Sequence, residues 1–216
     1  DVYSNVELPV SVILEKMEKE GIYCDIPTLD AISEKTEAEM QKLQQEIYGY
    51  AGKEFNLNSP KQMSEVLFDD LGLYAGKKKS TSAETLMKLQ GAHPIIDPIL
   101  RYRKLAKIYS TYSDGLKKFI RKDGKIHTTY NQCATTTGRL SSSEPNLQNI
   151  SVRDEEGREI RKAFLPEEKC VLLSCDYHQI ELRILAHMAK EESLIKVFQQ
   201  GIDIHTQTAM DVFGKT

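Results

Sequence analysis

The sequence lacks the features of several protein classes. Its apolar runs are only a few residues long, which is too short for a membrane span, and none at the start has the form of a signal peptide. Four cysteines, at positions 24, 133, 170 and 175, form no Cys-x-x-Cys pair and no short, even spacing. This pattern argues against a zinc site or a disulfide framework and favours reduced core thiols in a cytoplasmic protein. The first residue is Asp1, not Met, so we expect a piece of something longer.

Composition and charge indicate a globular chain with an uneven surface. The 216 residues are 40% hydrophobic and 28% charged, enough for a real core in one or two domains. Net charge is −3, yet residues 1 to 50 carry 4 basic and 11 acidic side chains, whereas residues 77 to 125 carry 13 basic and 4 acidic ones, a balance of +9. Such asymmetry is typical of phosphate binding. From charge alone, a solvated helix face explains it equally well.

The first half has the patterns of helices. Apolar residues recur at steps of three and four between Pro27 and Gly49, which predicts a helix of about five turns. Two capping-box patterns predict further helix starts, Ser59 with Gln62 and Thr81 with Glu84. A second long amphipathic pattern runs from residue 98 to residue 120. On it, Arg101, Lys104 and Lys107 follow at three-residue steps, so they can reach successive phosphates of a duplex.

The character of the sequence changes near residue 124. Asp123 and Gly124 form a turn signal, and residues 125 to 133 alternate loosely, as a strand does. We therefore predict a boundary between regions 1–124 and 125–216. Residues 135 to 153 are polar and rich in Ser, Thr and Asn. Planar amides and guanidinium groups there suit the minor-groove edge of base pairs, although a hydrated surface loop is the other interpretation.

Residues 171 to 188 combine a predicted strand, a carboxylate and a predicted helix. Val171 to Leu173 form a short apolar run, which suits a buried strand, and Asp176 follows at its carboxyl end. Ile180, Ile184, Leu185 and Met188 have the spacing of a helix's buried stripe. A carboxylate in that position is a suitable ligand for Mg²⁺, which prefers one or two protein carboxylates. The alternative is that Asp176 caps the following helix.

Two strings carry a resemblance to a known family. Residues 176 to 183, DYHQIELR, resemble the first palm motif of bacterial family A DNA polymerases, the DNA polymerase I family. Residues 135 to 150, TTTGRLSSSEPNLQNI, are similar to the segment that precedes that motif in the family. Weaker similarity runs through residues 54 to 63, 80 to 86 and 203 to 210, so the resemblance covers nearly the whole chain.

The resemblance implies an α+β fold, mostly helical, with a long-helix thumb followed by part of a β-sheet palm with flanking helices. Region 1–124 would be the thumb with its leading palm-packing helix, and region 125–216 the N-terminal part of the palm, ending before the fingers. The parent would be a DNA-directed DNA polymerase that extends a primer by two-metal nucleotidyl transfer in replication and repair, in the bacterial cytoplasm at the nucleoid. This piece would grip duplex DNA and lack a complete active site. The alternative is a non-catalytic helical module that binds duplex DNA.

The resemblance also implies roles for particular residues. Asp176, with the Tyr177 carbonyl, would hold Mg²⁺, and Glu181 would be the steric gate beneath the sugar of the incoming deoxynucleoside triphosphate. Gln179 would support the template or sugar side of the pocket. Arg139 would contact the primer end and the base pair of the incoming nucleotide from the minor groove, and Arg153 would lie near the nucleotide or primer terminus. Asn146, Gln148 and Asn149 would lie along the duplex.

The sequence departs from the family pattern at two positions. His178 stands where Ser is usual, and Ser151 stands where Pro is usual. We expect His178 to point toward solvent or a neighbouring loop, and Arg183, one helical turn further on, to be structural or functional. Asp203 and His205 look like a metal pair, but Asp203 fits better as a helix N-cap.

Overall fold

The structure, a computed structural model, describes residues 1–73, 79–152 and 154–214. The predictions for Lys77, Lys78 and Arg153 lie outside the described residues. The fold is α+β and mostly helical, with small antiparallel sheets, as predicted. Within the described ranges, no helix has both the length and the apolar composition needed to cross a membrane. The chain divides into two compact units, Asp1–Val171 and Leu172–Thr216. The thumb-to-palm boundary at residue 124 stays a prediction.

The first unit contains helices and two short sheets. Its α-helices are α1 (Leu8–Glu20), α2 (Ile26–Ala51), α3 (Pro60–Ser64), α4 (Ala83–Lys88), α5 (Ile96–Ile108) and α6 (Glu155–Arg161). Turns of π-helix occur at Tyr3–Glu7, Glu65–Asp70 and Tyr109–Ser113, and a 3₁₀ turn occurs at Leu116–Phe119. Strand β1 (Ile22–Tyr23) pairs antiparallel with β2 (Lys125–Ile126), and β3 (Thr129–Asn131) pairs with β4 (Ser141–Ser143). The strand predicted at residues 125 to 133 is therefore confirmed as two short pieces in different sheets.

Local signals account for the long helix α2. The Asp25 carboxylate accepts a hydrogen bond from Thr28 N at 2.9 Å, so it caps the helix, and Pro27 occupies the first turn. Gly52, with φ 68°, ends the helix in the left-handed conformation that glycine adopts at low cost. Leu29 and Ile47 are fully buried on one face. The predicted helix is confirmed, with two or three further residues at its ends.

The other predicted helices are confirmed in part. Ser59 caps α3 as predicted, but the Gln62 side chain accepts from Asn56 N and does not close a capping box on Ser59. At α4 the cap is Ser82, not Thr81, because the extended Ser82 places its hydroxyl to accept from Thr85 N. The helix predicted for residues 98 to 120 is α5 followed by the π-helical and 3₁₀ turns. Gly115 lies between those turns, where a Cβ would meet the Ser110 carbonyl oxygen at 2.3 Å.

Two hydrophobic clusters hold the first unit together. One joins the second half of α2 to α3, α4 and the start of α5, and its fully buried members include Ile47, Met63, Leu67, Leu86 and Ile99. The other joins the first half of α2 and the end of α5 to the β1–β2 sheet and α6, around Leu29, Ile108, Tyr112, Ile126 and Ile160. Both ends of α5 are therefore fixed by burial.

The second unit contains α7 (Ile180–Ala189), α8 (Glu192–Gln199) and α9 (Ile204–Phe213). The predicted helix after Asp176 is confirmed, but two expectations for residues 171 to 188 are wrong. Val171 and Leu173 form no strand and are each 85% exposed, because no described strand pairs with them and an unpaired strand leaves its backbone groups unsatisfied. The predicted stripe of α7 is exposed at 40 to 75%, and its buried residue is Ala186, because so short a unit has little apolar surface with which to cover that face.

Candidate catalytic carboxylate and nucleic-acid interface

Asp176 lies just before α7 in an exposed stretch without regular structure. The N-cap of α7 is Gln179, with φ 53°, so the alternative that Asp176 caps this helix is wrong. No described residue forms a hydrogen bond or ion pair with the Asp176 carboxylate. Tyr177 is 77% exposed, and Glu181 lies exposed in the first turn of α7. The second unit therefore places two exposed carboxylates within one short stretch at the start of a helix.

The Gln179 side chain connects the starts of two helices. Its Nε2 donates to Asp203 Oδ2 at 2.6 Å, while Asp203 Oδ1 accepts from Thr206 N at 2.9 Å and caps α9. The predicted N-cap role of Asp203 is thereby confirmed. The backbone N–H of Thr206, more than any other group, lowers the pKa of Asp203. Gln179 Oε1 is buried and has no hydrogen-bond donor among the described residues. Its predicted support of a nucleotide pocket stays a prediction.

Arg183 has a structural role in this unit. Its Nε donates to the His178 carbonyl oxygen at 2.9 Å, and its guanidinium lies 4.6 Å from the centroid of the Phe198 ring. A cation over an aromatic face stabilises by about 0.5 to 1 kcal/mol at an exposed site. Arg183 thus ties α7 to α8 and holds the backbone at His178, two residues after Asp176.

The donor atoms near Asp176 fit part of a magnesium site. Mg²⁺ prefers one or two protein carboxylates and completes its shell with water and substrate oxygens. An exposed Asp176 carboxylate with the adjacent Tyr177 carbonyl matches that preference. Over the described ranges, however, no group of three or more His, Cys, Asp or Glu side chains is placed to hold a metal ion. The described residues therefore could supply some of the ligands of a metal ion, but they do not form a complete metal site.

In the first unit, residues 144 to 149 form a hydrogen-bonded loop after strand β4. Asn146 Oδ1 accepts from Gln148 N at 3.0 Å, and Gln148 Nε2 donates to the Leu140 carbonyl oxygen at 3.2 Å. The Tyr112 hydroxyl donates to the Asn149 carbonyl oxygen at 2.8 Å, which joins the loop to the π-helical turn after α5. Burial, with a smaller contribution from the charge of Asp154, raises the pKa of Tyr112.

A groove of about 470 Å³ lies between this loop and the turn after α5. Thr111 and Tyr112 line one side, and Asn146 and Asn149 line the other, with Lys118 also in its lining. The two predicted duplex-contacting asparagines therefore lie together in the lining of one groove. Arg139 is exposed within residues 135 to 140, and its carbonyl oxygen accepts from Thr135 Oγ1 at 2.7 Å.

The three predicted phosphate-binding cations of α5 differ in their surroundings. Arg101 Nε donates to Glu39 Oε1 at 2.7 Å, and its Nη1 donates to Glu156 Oε1. Lys104 Nζ donates to the other oxygen of Glu156 at 2.7 Å. The ammonium group of Lys107 is exposed and forms no ion pair with any described residue. Phosphate binding by these three side chains stays a prediction.

The pKa values in this cluster reflect the pairing. Burial alone would raise the pKa of Glu156, but hydrogen bonds from Lys104 and Arg101 outweigh it and lower the pKa to about 2. The hydrogen bond to Glu39, with a further one to Glu156, raises the pKa of Arg101. Sequence reasoning missed Glu39 and Glu156. They lie 62 and 55 residues from Arg101, and no local pattern marks such distant partners.

Comparison with known proteins identifies the family of this chain. A sequence profile of DNA polymerase family A matches residues 26–216. The chain is 53% identical over 220 residues to DNA polymerase I, thermostable, of Thermus thermophilus, with 99% of this chain and 26% of the relative covered. It is 55% identical over 217 residues to DNA polymerase I of Streptococcus pneumoniae, with 97% and 25% covered.

A solved structure is similar over nearly the whole chain. It is the POL domain of Pol1 from M. smegmatis in complex with DNA primer-template and dNTP, with a TM-score of 0.89 and 39% identity, and the match covers 99% of this chain and 39% of that one. The chain thus spans about a quarter of the length of the curated relatives described above. The profile match over most of the sequence, together with these identities, shows that the chain belongs to DNA polymerase family A.

Proposed function

We propose that this chain is the thumb and leading palm segment of a DNA-directed DNA polymerase that extends a primer in replication and repair. In this proposal the first unit grips the primer-template duplex, and the second unit supplies one catalytic carboxylate. The observation that carries it is the exposed Asp176 carboxylate just before α7, which pairs with no described residue, in a chain that belongs to DNA polymerase family A. The setting would be the bacterial cytoplasm, at the nucleoid.

Nucleotidyl transfer builds up negative charge on the attacking and leaving oxygens, and two bound Mg²⁺ ions supply the charge that stabilises them. Asp176 and the Tyr177 carbonyl are the residues of this chain that would hold such an ion. The Arg183 contact with the His178 carbonyl fixes the backbone next to them. The remaining carboxylates of the site would come from outside the described residues, since these form no metal-binding group.

We propose that Glu181 selects the sugar of the incoming nucleotide. It lies exposed in the first turn of α7, five residues after Asp176. A 2′ hydroxyl placed against this carboxylate would collide with it or leave a polar group unpaired, and either costs binding free energy. Arg139 and Gln179 are proposed to contact the terminal base pair and the nucleotide pocket. The similar POL domain was solved with both DNA primer-template and dNTP, which supports these two ligands.

We propose that the groove between Tyr112 and Asn149 lies along the duplex. Its amide side chains can accept and donate hydrogen bonds at the minor-groove edge, where acceptors occupy similar places in every base pair. Lys107 is an exposed cation on the same part of the chain and would neutralise a backbone phosphate, whereas Lys118, also exposed, lies 3.6 Å from the Asp114 carboxylate. Binding of this type is independent of sequence, as a polymerase requires.

A second candidate function is duplex binding without chemistry. The observation in its favour is that, within the described ranges, no group of three or more His, Cys, Asp or Glu side chains is placed to hold a metal ion. Both candidates predict DNA binding by this chain. They differ in what a longer chain does, because only the polymerase proposal requires Asp176.

Fluorescence anisotropy of the 216-residue chain with a labelled primer-template tests the proposed grip. We expect weak binding that is equal for duplexes of unrelated sequence. A plot of log affinity against log salt concentration should be linear, with a slope of about −0.9 for each contacted phosphate. Primer extension by the same preparation should give no product, since one carboxylate does not hold two metal ions. Salt-independent binding would contradict the duplex grip, and extension by this chain would contradict the assignment of a partial site.

A further inference from the structure

The ion pairs on α5 divide its cations into two classes. Arg101 and Lys104 are bonded to carboxylates, and the Arg103 guanidinium donates to the Thr81 carbonyl oxygen. Lys107 is exposed and has no ion pair within the part of the chain that the structure describes. The regular three-residue spacing of the positive charges therefore does not produce a regular row of available cations.

Glu156 pairs with both Arg101 and Lys104. Its side chain is only 19% exposed, and each of its two carboxylate oxygens accepts from a different cation, Oε1 from Arg101 and Oε2 from Lys104. A charge-assisted hydrogen bond contributes roughly twice as much as a neutral one, and a shielded pair is screened less by salt than an exposed pair. If Lys104 left Glu156 to bind a phosphate, the shielded Glu156 carboxylate would lose one of its two cation partners.

The backbone around Glu156 is held in place. Asp154 Oδ1 accepts from Gly157 N at 2.7 Å and caps α6, which fixes Glu156 in the first turn. Gly157 itself packs so closely that a Cβ would meet the Ser151 carbonyl oxygen at 2.3 Å. A carboxylate on such a fixed turn cannot move aside with its helix when DNA approaches α5.

The net charge of the ion-paired group also limits its part in DNA binding. Arg101 and Lys104 carry two positive charges, while Glu39 and Glu156 carry two negative ones, so this group of four is neutral overall. Counterion release on DNA binding requires cations that are free to neutralise phosphates. A neutral group adds little to the salt dependence of DNA binding. Each of its cations would steepen the slope of log affinity against log salt if it were free to contact a phosphate.

We infer that Glu156 withholds Lys104 and Arg101 from DNA, so that Lys107 is the phosphate contact of α5. This inference rests on the proposed duplex grip and replaces the expectation that all three cations bind phosphates. Glu156 thereby sets how strongly the chain holds the DNA backbone, and it does so without touching the DNA.

The test counts phosphate contacts by salt titration of the 216-residue chain with a primer-template duplex. Lys107→Gln should lower the slope of log affinity against log salt by about 0.9, whereas Lys104→Gln should leave it nearly unchanged. Glu156→Gln should raise the slope by about 0.9, since it frees Lys104 while Glu39 still holds Arg101, and the pair Glu156→Gln with Lys104→Gln should return it to the starting value. A slope change of that size alters the affinity ratio between about 50 and 200 mM salt by about 3.5-fold.

Glu155→Gln is the matched control. It makes the same charge change in the same helical turn, but Glu155 is exposed and has no ion pair with another described residue. We expect Glu155→Gln to leave the slope of log affinity against log salt unchanged. The control thus distinguishes release of Lys104 from a general increase in positive potential. Circular dichroism shows whether each variant is folded.

The outcomes are distinguishable. Equal slope losses in Lys104→Gln and Lys107→Gln would overturn the inference, and this comparison needs no Glu156 variant, so it decides even if Glu156→Gln fails to fold. Equal gains in the Glu156 and Glu155 variants would overturn it as well. If neither the unmodified chain nor any variant binds duplex DNA with salt dependence, the proposed function itself fails.

Discussion

Tyr112 provides a quantitative test of how the groove is built. Tyr112→Phe keeps the buried ring but removes the hydroxyl that donates to the Asn149 carbonyl oxygen at 2.8 Å. A hydrogen bond of this kind contributes about 0.5 to 1.5 kcal/mol net, and a buried acceptor left without a donor costs about 1 to 3 kcal/mol. Because Asn149 is exposed, water can reach its carbonyl, and the expected loss in the free energy of unfolding is about 1 kcal/mol.

Urea unfolding followed by far-ultraviolet circular dichroism measures this loss. The chain has no tryptophan, so a spectroscopic signal from the backbone is the suitable one. Tyr109→Phe is the control, since it makes the same chemical change in the same π-helical turn, where no described residue bonds to the hydroxyl. We expect the control to change stability by less than about 0.5 kcal/mol. Equal effects of the two variants would refute the account of this hydrogen bond.

Three further predictions concern selection, folding and acid stability. In a polymerase extended beyond this chain, Glu181→Ala should raise the ratio of ribonucleotide to deoxynucleotide kcat/KM by roughly tenfold or more, and an unchanged ratio would remove its role as a gate. Asp25→Ala should lower the free energy of unfolding by about 1 kcal/mol through loss of the α2 cap, and a neutral result in urea unfolding would contradict that role. The pKa of Glu156 is lowered to about 2 when folded, so its stabilisation is complete above about pH 4.5 and is lost as pH falls toward 2. Glu156→Gln should therefore lose less stability than the unmodified chain over that range, and parallel pH profiles would show that the pairing has no energetic effect.

Features with local causes were predictable from the sequence. Helix α2 was predicted from its apolar spacing after Pro27, although it continues through Gly49 and ends before Gly52. Asp203 was identified as the cap of α9. The cap of α4 was misplaced by one residue because Thr81 and Ser82 both have a suitable hydroxyl, and only the backbone conformation decides between them.

Features that depend on distant partners were not predictable. The run from Val171 to Leu173 has strand composition, but a strand forms only where a neighbour pairs with it. The spacing of apolar residues on α7 indicates a face suited to burial, but it does not predict which element packs against that face. Likewise, the basic residues of α5 suggested a row of phosphate contacts, whereas Glu39 and Glu156 reach Arg101 only through the tertiary fold.

The central claim is that Asp176 is a catalytic metal ligand of a DNA polymerase, and single-turnover primer extension by an extended polymerase tests it most directly. Asp176→Ala should reduce nucleotide addition by at least about 100-fold while duplex affinity stays within about threefold, because a metal ligand acts mainly on the transition state. Glu192→Ala, which removes another exposed carboxylate of the second unit, should leave both unchanged. If Asp176→Ala retains more than about a tenth of the normal rate, Asp176 does not hold a catalytic metal and the account is wrong.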